Sequence, residues 1–361
     1  MSWAAIYSRS FSYRFPHSPV SARVSRKLST LSTPSSQRTK RSPFIALGVA
    51  GGVAVVSAFF FWPDTSRSAP TYKDATLSPS HFTPVTVLAS EQCSDPNTRL
   101  ITLGVPKQSL PSLSQTSFSP IWSIFIKDDD IQVERTYTPL EGIDSEGRMK
   151  FWIKKYPKGE VGKWLHSKKV GDTIEIRGPL MTWPWQDDIW DEIVMISGGT
   201  GITPFYQLLH HTLLSSQQKM TKTRFTLLHS SRTPHELPPA DILQPLLSHA
   251  QAYPQDLRVT LYVDSLDETT TQHPDLRVSR IGKPDILSAL GVNDRRRWWS
   301  KLFGNSSPST LEKNKKILVL VCGPDSMVAA IAGPLGRNMS QGPVSGILGE
   351  LGLNEEQVWK V

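Results

Sequence analysis

The chain has 361 residues, with 40 Lys and Arg against 32 Asp and Glu and a formal charge of +8. Eight of the basic residues (Arg9, Arg14, Arg23, Arg26, Lys27, Arg38, Lys40 and Arg41) fall in residues 1–63, which hold no acid, so the remainder is charge-balanced. That distribution excludes a general nucleic-acid binder, whose positive charge would cover its folded surface. Two cysteines, Cys93 and Cys322, exclude a disulfide framework and a thiolate metal site. At 38% apolar, the ~300 residues beyond the basic stretch suffice for two domains.

Residues 1–42 are rich in Arg and Ser and interspersed with Trp3, Tyr7, Phe11 and Phe15. This is the composition of a mitochondrial transit peptide, a disordered basic tail being the alternative. Residues 44–62, FIALGVAGGVAVVSAFFFW, carry no charge. As a helix they reach ~28 Å, close to a hydrocarbon core of ~30 Å. Lys40 and Arg41 precede the run and Pro63-Asp64 ends it. The positive-inside rule then predicts a single-pass protein of the mitochondrial inner membrane, its body facing the intermembrane space. Residues 63–82, rich in Pro, Ser and Thr, read as a linker.

From 83 to 185 the pattern is short strand-like runs broken by turns: VTVLAS (85–90), RLITLGV (99–105), IWSIFI (121–126), QVERTY (132–137), MKFWIKKY (149–156) and DTIEIRG (172–178). Six such runs without a long helical period predict a small antiparallel β-barrel. The pattern changes beyond MTWPWQDDIW (181–190). Over 190–361 the apolar runs EIVMIS (192–197), RFTLLHS (224–230), RVTLYVD (258–264) and KILVLVCG (316–323) alternate with helical segments. That predicts an α/β domain built on a parallel sheet. RRRWWSKLFGNSSPST lies within an expected insertion at 291–313, either solvated or touching a membrane surface.

Three motifs carry chemistry. In Ser197-Gly198-Gly199-Thr200-Gly201-Ile202-Thr203-Pro204, glycines between a strand and a helix let backbone amides approach a pyrophosphate, with Thr203 as the expected helix cap. A tight strand–helix turn without a ligand is the alternative. In Arg135-Thr136-Tyr137-Thr138-Pro139, strand alternation puts Arg135 and Tyr137 on one face, a forked phosphate donor beside a stacking plane, with the Thr138 hydroxyl adjacent. An ordinary strand with an exposed Arg fits as well. Cys322-Gly323-Pro324-Asp325 ends the last apolar run, at the edge where open α/β sheets bind ligands. There Cys322 either lines the crevice or packs as a small hydrophobe.

In this order and spacing the motifs resemble the ferredoxin–NADP reductase superfamily, and most closely its NADH–cytochrome b5 reductase branch, over residues 80–361. The resemblance implies a barrel that binds FAD and an α/β domain that binds NAD(P)H. Arg135 would hold FAD phosphates, Tyr137 would lie on the isoalloxazine and Thr138 near flavin N5. Lys154 and Tyr156 match a cofactor-contacting I-K-V-Y strand. Gly198, Gly199, Thr200, Gly201 and Thr203 would support the nicotinamide nucleotide, and Cys322, Gly323 and Pro324 would meet its nicotinamide end.

There are departures from the family pattern. Where it has a pyrophosphate-binding Ser in G-K-M-S-x-Y-L, this chain has Gly162 followed by Lys163, leaving backbone amides for FAD. The terminal V-F-K-F reads Val358-Trp359-Lys360-Val361. After the second α/β strand, Ser230 and Arg232 either hold a 2′-phosphate, admitting NADPH beside NADH, or belong to a solvated loop. Transit peptide, single span and HSSRTPHELPP together look most like the fungal mitochondrial members that assist haem attachment to cytochrome c. The expected function is therefore hydride transfer from NAD(P)H to FAD and electron delivery to a haem acceptor in that attachment machinery. Alternatives are an outer-membrane reductase serving cytochrome b5 and a catalytically idle scaffold for haem-assembly partners.

Overall fold

Six strands between Thr83 and Trp183 pair into one antiparallel sheet: β1 (Thr83–Gln92), β2 (Thr98–Gly104), β3 (Ile121–Asp128), β4 (Val133–Tyr137), β5 (Arg148–Lys154) and β6 (Thr173–Trp183). Their order is β4-β3-β6-β1-β2-β5. In this computed structural model the described residues are 69–361 apart from 111–119, 131, 184, 186–188, 216–220, 267–275, 292–314 and 338–339. The expected transit peptide, the membrane span at 44–62 and all but the first residue of the insertion lie outside them. Among the described residues no helix is long and apolar enough to cross a membrane.

The expected barrel is a curled sheet whose ladder stays open. No pairing joins β4 to β5 among the described residues. Inward residues of all six strands still close on one core, including Val87, Ile101, Ile124, Phe151 and Ile176. β4 is only five residues long with no fully buried position, though Val133 and Tyr137 pack against the core, and beyond it Leu140 N donates to Lys150 O of β5 at 2.8 Å. Residues 70–82, within the stretch read as linker, belong to this body: Phe82 N donates to Pro70 O at 2.8 Å and Leu77 N to Ser109 O at 2.9 Å. Leu77 and Phe82 are buried, and these two apolar side chains pull the Pro/Ser/Thr-rich segment onto the sheet.

A short helix, α1 (Glu160–Ser167), follows β5 and buries Val161, Trp164 and Leu165. The second sheet comprises β7 (Glu192–Gly198), β8 (Arg224–Ser231), β9 (Leu257–Val263), β10 (Leu276–Val278), β11 (Ile317–Cys322) and β12 (Val358–Lys360). All its strands are parallel, in the order β10-β9-β8-β7-β11-β12. Every residue of β7 is buried, as expected for a central strand covered on both faces. Helices α2 (Thr203–Leu209), α3 (Ala240–Ala252), α4 (Lys283–Ala289), α5 (Asp325–Ala332) and α6 (Gly346–Glu350) complete the domain. The order reverses between β7 and β11, so a crevice opens beyond their carboxyl ends.

Both sheets belong to one compact unit, Pro63–Val361. One hydrophobic cluster runs through both, with Leu100, Ile121, Leu140 and Trp152 of the first half packed with Ile202, Phe205, Tyr206 and Phe225 of the second. At this contact the buried Gln207 Oε1 accepts Trp122 N–H at 2.9 Å. Fully burying each such aliphatic or aromatic side chain contributes about 1.5–3 kcal/mol, so the mutual orientation of the halves is a packing property.

Candidate active site

The open margins of β4 and β5 face the switch point between β7 and β11, and a cleft of about 890 Å³ lies between them. From the first half, Arg135, Tyr137, Thr138, Lys154, Tyr156 and Gly162 line it. From the second half come Gly198, Thr200, Gly201, Thr203 and the Cys322-Gly323-Pro324 turn. Lys163, Gly199, Ser230 and Arg232 are outside its lining.

On β4, the exposed Arg135 guanidinium donates to Glu134 O at 2.7 Å and makes no ion pair among the described residues. Burial pushes the Tyr137 phenol up to about 12. Beyond the strand, Thr138 Oγ1 lies 3.4 Å from Ser123 Oγ, which shares a 2.8 Å hydrogen bond with Thr182 Oγ1. Ser123 and Thr182 also line the cleft. Sequence reasoning missed this hydroxyl trio; its only trace was a lone Ser inside the apolar run IWSIFI.

Lys154 is not a free cation. Its side chain is 8% exposed, and Nζ lies 2.6 Å from Glu236 Oε2 and 3.1 Å from Asp95 Oδ2. Arg232 donates to the same Glu236 carboxylate, and Ser230 Oγ donates to Ser197 O at 3.3 Å. The side chains expected at a 2′-phosphate are thus engaged within the protein. Lys163 pairs with Glu160 at 3.7 Å on the surface of α1. Gly162 lies against β5, where a Cβ would stand 3.0 Å from Lys154 O. The N-terminus of α1 has no side-chain cap, so its first-turn amides are available to an anion.

The glycine turn differs from expectation at its end. A 3-10 turn over Gly199–Ile202 begins the winding early, making Thr203 the first residue of α2 rather than its cap, and no side chain caps that helix. Gly199 adopts φ +53° with open space at its Cβ position, whereas a Cβ on Gly201 would stand 2.5 Å from Cys322 O and one on Gly198 2.5 Å from Met327 Sδ. The two turns therefore interlock because they lack side chains. Desolvation holds the Cys322 thiol at about 12. Beneath the turn, buried His229 joins Ser197 Oγ at 2.9 Å and Ser231 Oγ at 3.3 Å. Desolvation lowers its pKa to about 3, leaving it neutral.

These residues fit the expected groups. The unpaired Arg135 fork and open α1 amides suit a pyrophosphate, Tyr137 offers a ring face, and the interlocked glycine turns admit a second nucleotide to the same cleft. The family description "Oxidoreductase FAD-binding domain" matches residues 87–185, and "Ferric reductase NAD binding domain" matches 190–333. The protein is an NAD(P)H-dependent FAD oxidoreductase. It is 28% identical over 317 residues to NADH-cytochrome b5 reductase 2 of Kluyveromyces lactis, covering 88% of this chain and 95% of that one. To the protein of the same name from Candida glabrata it is 31% identical over 246 residues, covering 68% and 72%. The cytochrome b5 reductase domain of Ulva prolifera nitrate reductase shares the fold, with TM-score 0.55 and 18% identity over 80% of this chain and 100% of that one. The chain belongs to the cytochrome b5 reductase-like family of the ferredoxin–NADP reductase-like superfamily.

Proposed function

We propose that this protein is anchored in the mitochondrial inner membrane and draws electrons from NAD(P)H through FAD. It delivers them to a haem iron, keeping it ferrous during attachment to apocytochrome c. The observation that carries the reductase chemistry is the single cleft onto which both half-sites open. FAD supplies two-electron acceptance from the nicotinamide and one-electron release to a metal. The protein's share is placement. Arg135 offers a forked donor to the FAD phosphates, Tyr137 offers a ring face, and Ser123 orients the Thr138 hydroxyl. Tyr137 and Cys322 both remain protonated at neutral pH, so neither serves as a base. Residues 1–62, with their basic start and apolar run, support the anchoring.

A second acceptor, cytochrome b5, is favoured by the names of the Kluyveromyces and Candida relatives, and would go with an outer-membrane location. Anaerobic incubation of the purified protein with NADH or NADPH, offering haem-loaded apocytochrome c or cytochrome b5, separates the two. Reduction confined to cytochrome b5, or protease sensitivity of the body in intact mitochondria, would overturn the inner-membrane assignment.

A further inference from the structure

Lys360 lies outside the cleft, 4% exposed, and its ammonium is caged by three backbone carbonyls. Nζ donates to Gln341 O at 2.6 Å, Pro334 O at 2.9 Å and Pro343 O at 3.1 Å. An ammonium has three protons to give, and all three are used. The Gln341 side chain then clamps the backbone of the same residue: its Oε1 accepts Lys360 N–H at 2.7 Å and its Nε2 donates to Lys360 O at 2.9 Å. Five hydrogen bonds thus join a three-residue edge strand to a segment that needs positive φ at Gly333 (+87°) and Gly342 (+62°). An edge strand this short has little pairing of its own to hold it.

Both ends of this stitch lead to the cleft. Along β12, the next residue is Val361, whose N–H donates to Val321 O at 2.9 Å and which lines the cleft beside Cys322. In the other direction, Gly333 ends α5, and α5 begins at Pro324–Asp325, which also line the cleft. The buried face of α5, with Val328, Ile331 and Ala332, packs in one cluster with Val358 and Val321. Lys360 therefore closes a loop of structure with the Val361 wall at one end and the Cys322-Gly323-Pro324 turn at the other.

We propose that Lys360 is a positioning residue for nicotinamide binding: its carbonyl cage fixes the separation between Val361 and the Cys322 turn without touching either cofactor. The proposal rests on reading the Cys322 turn as the nicotinamide end of the cleft. Lys360→Met keeps an unbranched side chain one atom shorter and removes its donors, while Lys360→Arg retains charge and donors. In the FAD-loaded full chain, Lys360→Met keeps one FAD per protein but alters the flavin difference spectrum produced by NAD⁺. It also lowers kcat/KM for NADH by roughly tenfold to a hundredfold, the usual effect of an ångström-scale misplacement. Lys360→Arg recovers part of both. An unchanged NAD⁺ spectrum and KM in Lys360→Met overturns the proposal, as does FAD loss in proportion to any activity loss. Should the Met variant not fold, Gln341→Leu cuts the backbone clamp alone, and the same two readouts decide. Cys322→Ser is the control for the underlying reading. If it leaves the NAD⁺ spectrum unmoved, the site assignment fails; if only it moves the spectrum, the role of Lys360 fails alone.

Discussion

Lys154 Nζ lies 2.6 Å from Glu236 Oε2, so the last residue of β5 in the first half is ion-paired to the turn after β8 in the second. Asp95, 4% exposed, holds the same ammonium. Burial opposes the charge of Asp95, but the Asn97 amide and Lys154 outweigh it and hold the carboxyl below its ordinary 3.8. Burial likewise opposes the charge of Lys154, and hydrogen bonds to Glu236 and Asp95 outweigh it, raising the amine above 10.5.

The pH dependence follows from these directions. The Asp95 contribution is whole above its unfolded value and fades as pH falls through the lowered folded one. The Lys154 contribution is whole below its unfolded value and fades as pH rises through the raised folded one. Lys154→Met leaves the buried Asp95 carboxylate without its cation, while Glu236 keeps Arg232, and costs about 3 kcal/mol near pH 7. The loss shrinks towards about pH 3.5, where Asp95, without the lowering effect of Lys154 and still opposed by burial, protonates in the variant. Urea midpoints at the two pH values test this; an equal loss at both would refute it.

Ser123 Oγ lies 3.4 Å from Thr138 Oγ1 and is itself bonded to Thr182 Oγ1 at 2.8 Å. Ser123→Ala and Thr138→Ala each lower the rate of flavin reduction by NADH by about tenfold, one hydrogen bond's worth, with FAD content unchanged. Stopped-flow absorbance, read beside the FAD-to-protein ratio, checks both. Loss of FAD without a change in rate would assign the trio to retention instead.

The glycine turn separates two kinds of glycine. Gly201→Ala drives a Cβ to 2.5 Å from Cys322 O, costs about 1–3 kcal/mol, and impairs NADH use while the flavin spectrum persists. Gly199→Ala faces open space and meets only its φ of +53°, a cost of about 1–2 kcal/mol with KM for NADH little changed. Thermal melts and NADH titrations of the two variants give the comparison; matching KM values would remove the distinction.

Cys322 faces the cleft yet holds its proton. With its thiol at about 12, the thiolate fraction at pH 8 is about one part in ten thousand. Alkylation of the native protein by iodoacetamide at pH 8 accordingly leaves Cys322 unmodified over times that label free glutathione fully, as read by peptide mass spectrometry. Rapid labelling would contradict the desolvated setting.

Much of this was legible in the residues. Six short runs announced the antiparallel sheet, and four apolar runs announced the core of the parallel one, because alternation and continuous burial leave different patterns. The short strands at 276–278 and 358–360 did not show, since three residues carry no period. Nor could the sequence reveal that Lys154 and Arg232 share Glu236, because strand position fixes which face a residue occupies but not which charge meets it across a domain contact. Thr203 looked like a cap because the early 3-10 turn has no signal distinct from the glycines that permit it. The cleft residues of the three motifs were found by type and spacing, whereas Ser123 and Thr182 were hidden by their plain surroundings.

The gap between β4 and β5 has a consequence for the protein's life before it meets FAD. A strand margin with idle amides and carbonyls is a template onto which another chain can add itself. Here such margins flank the cleft, with Arg135–Tyr137 on one side and Phe151–Lys154 on the other, and they are partly blunted: Lys150 O accepts from Leu140 N, Ile153 O meets His166 Nε2 and Glu134 O accepts from Arg135. A bound prosthetic group therefore shields them sterically. Removal of that group would uncover what remains unpaired along the two margins.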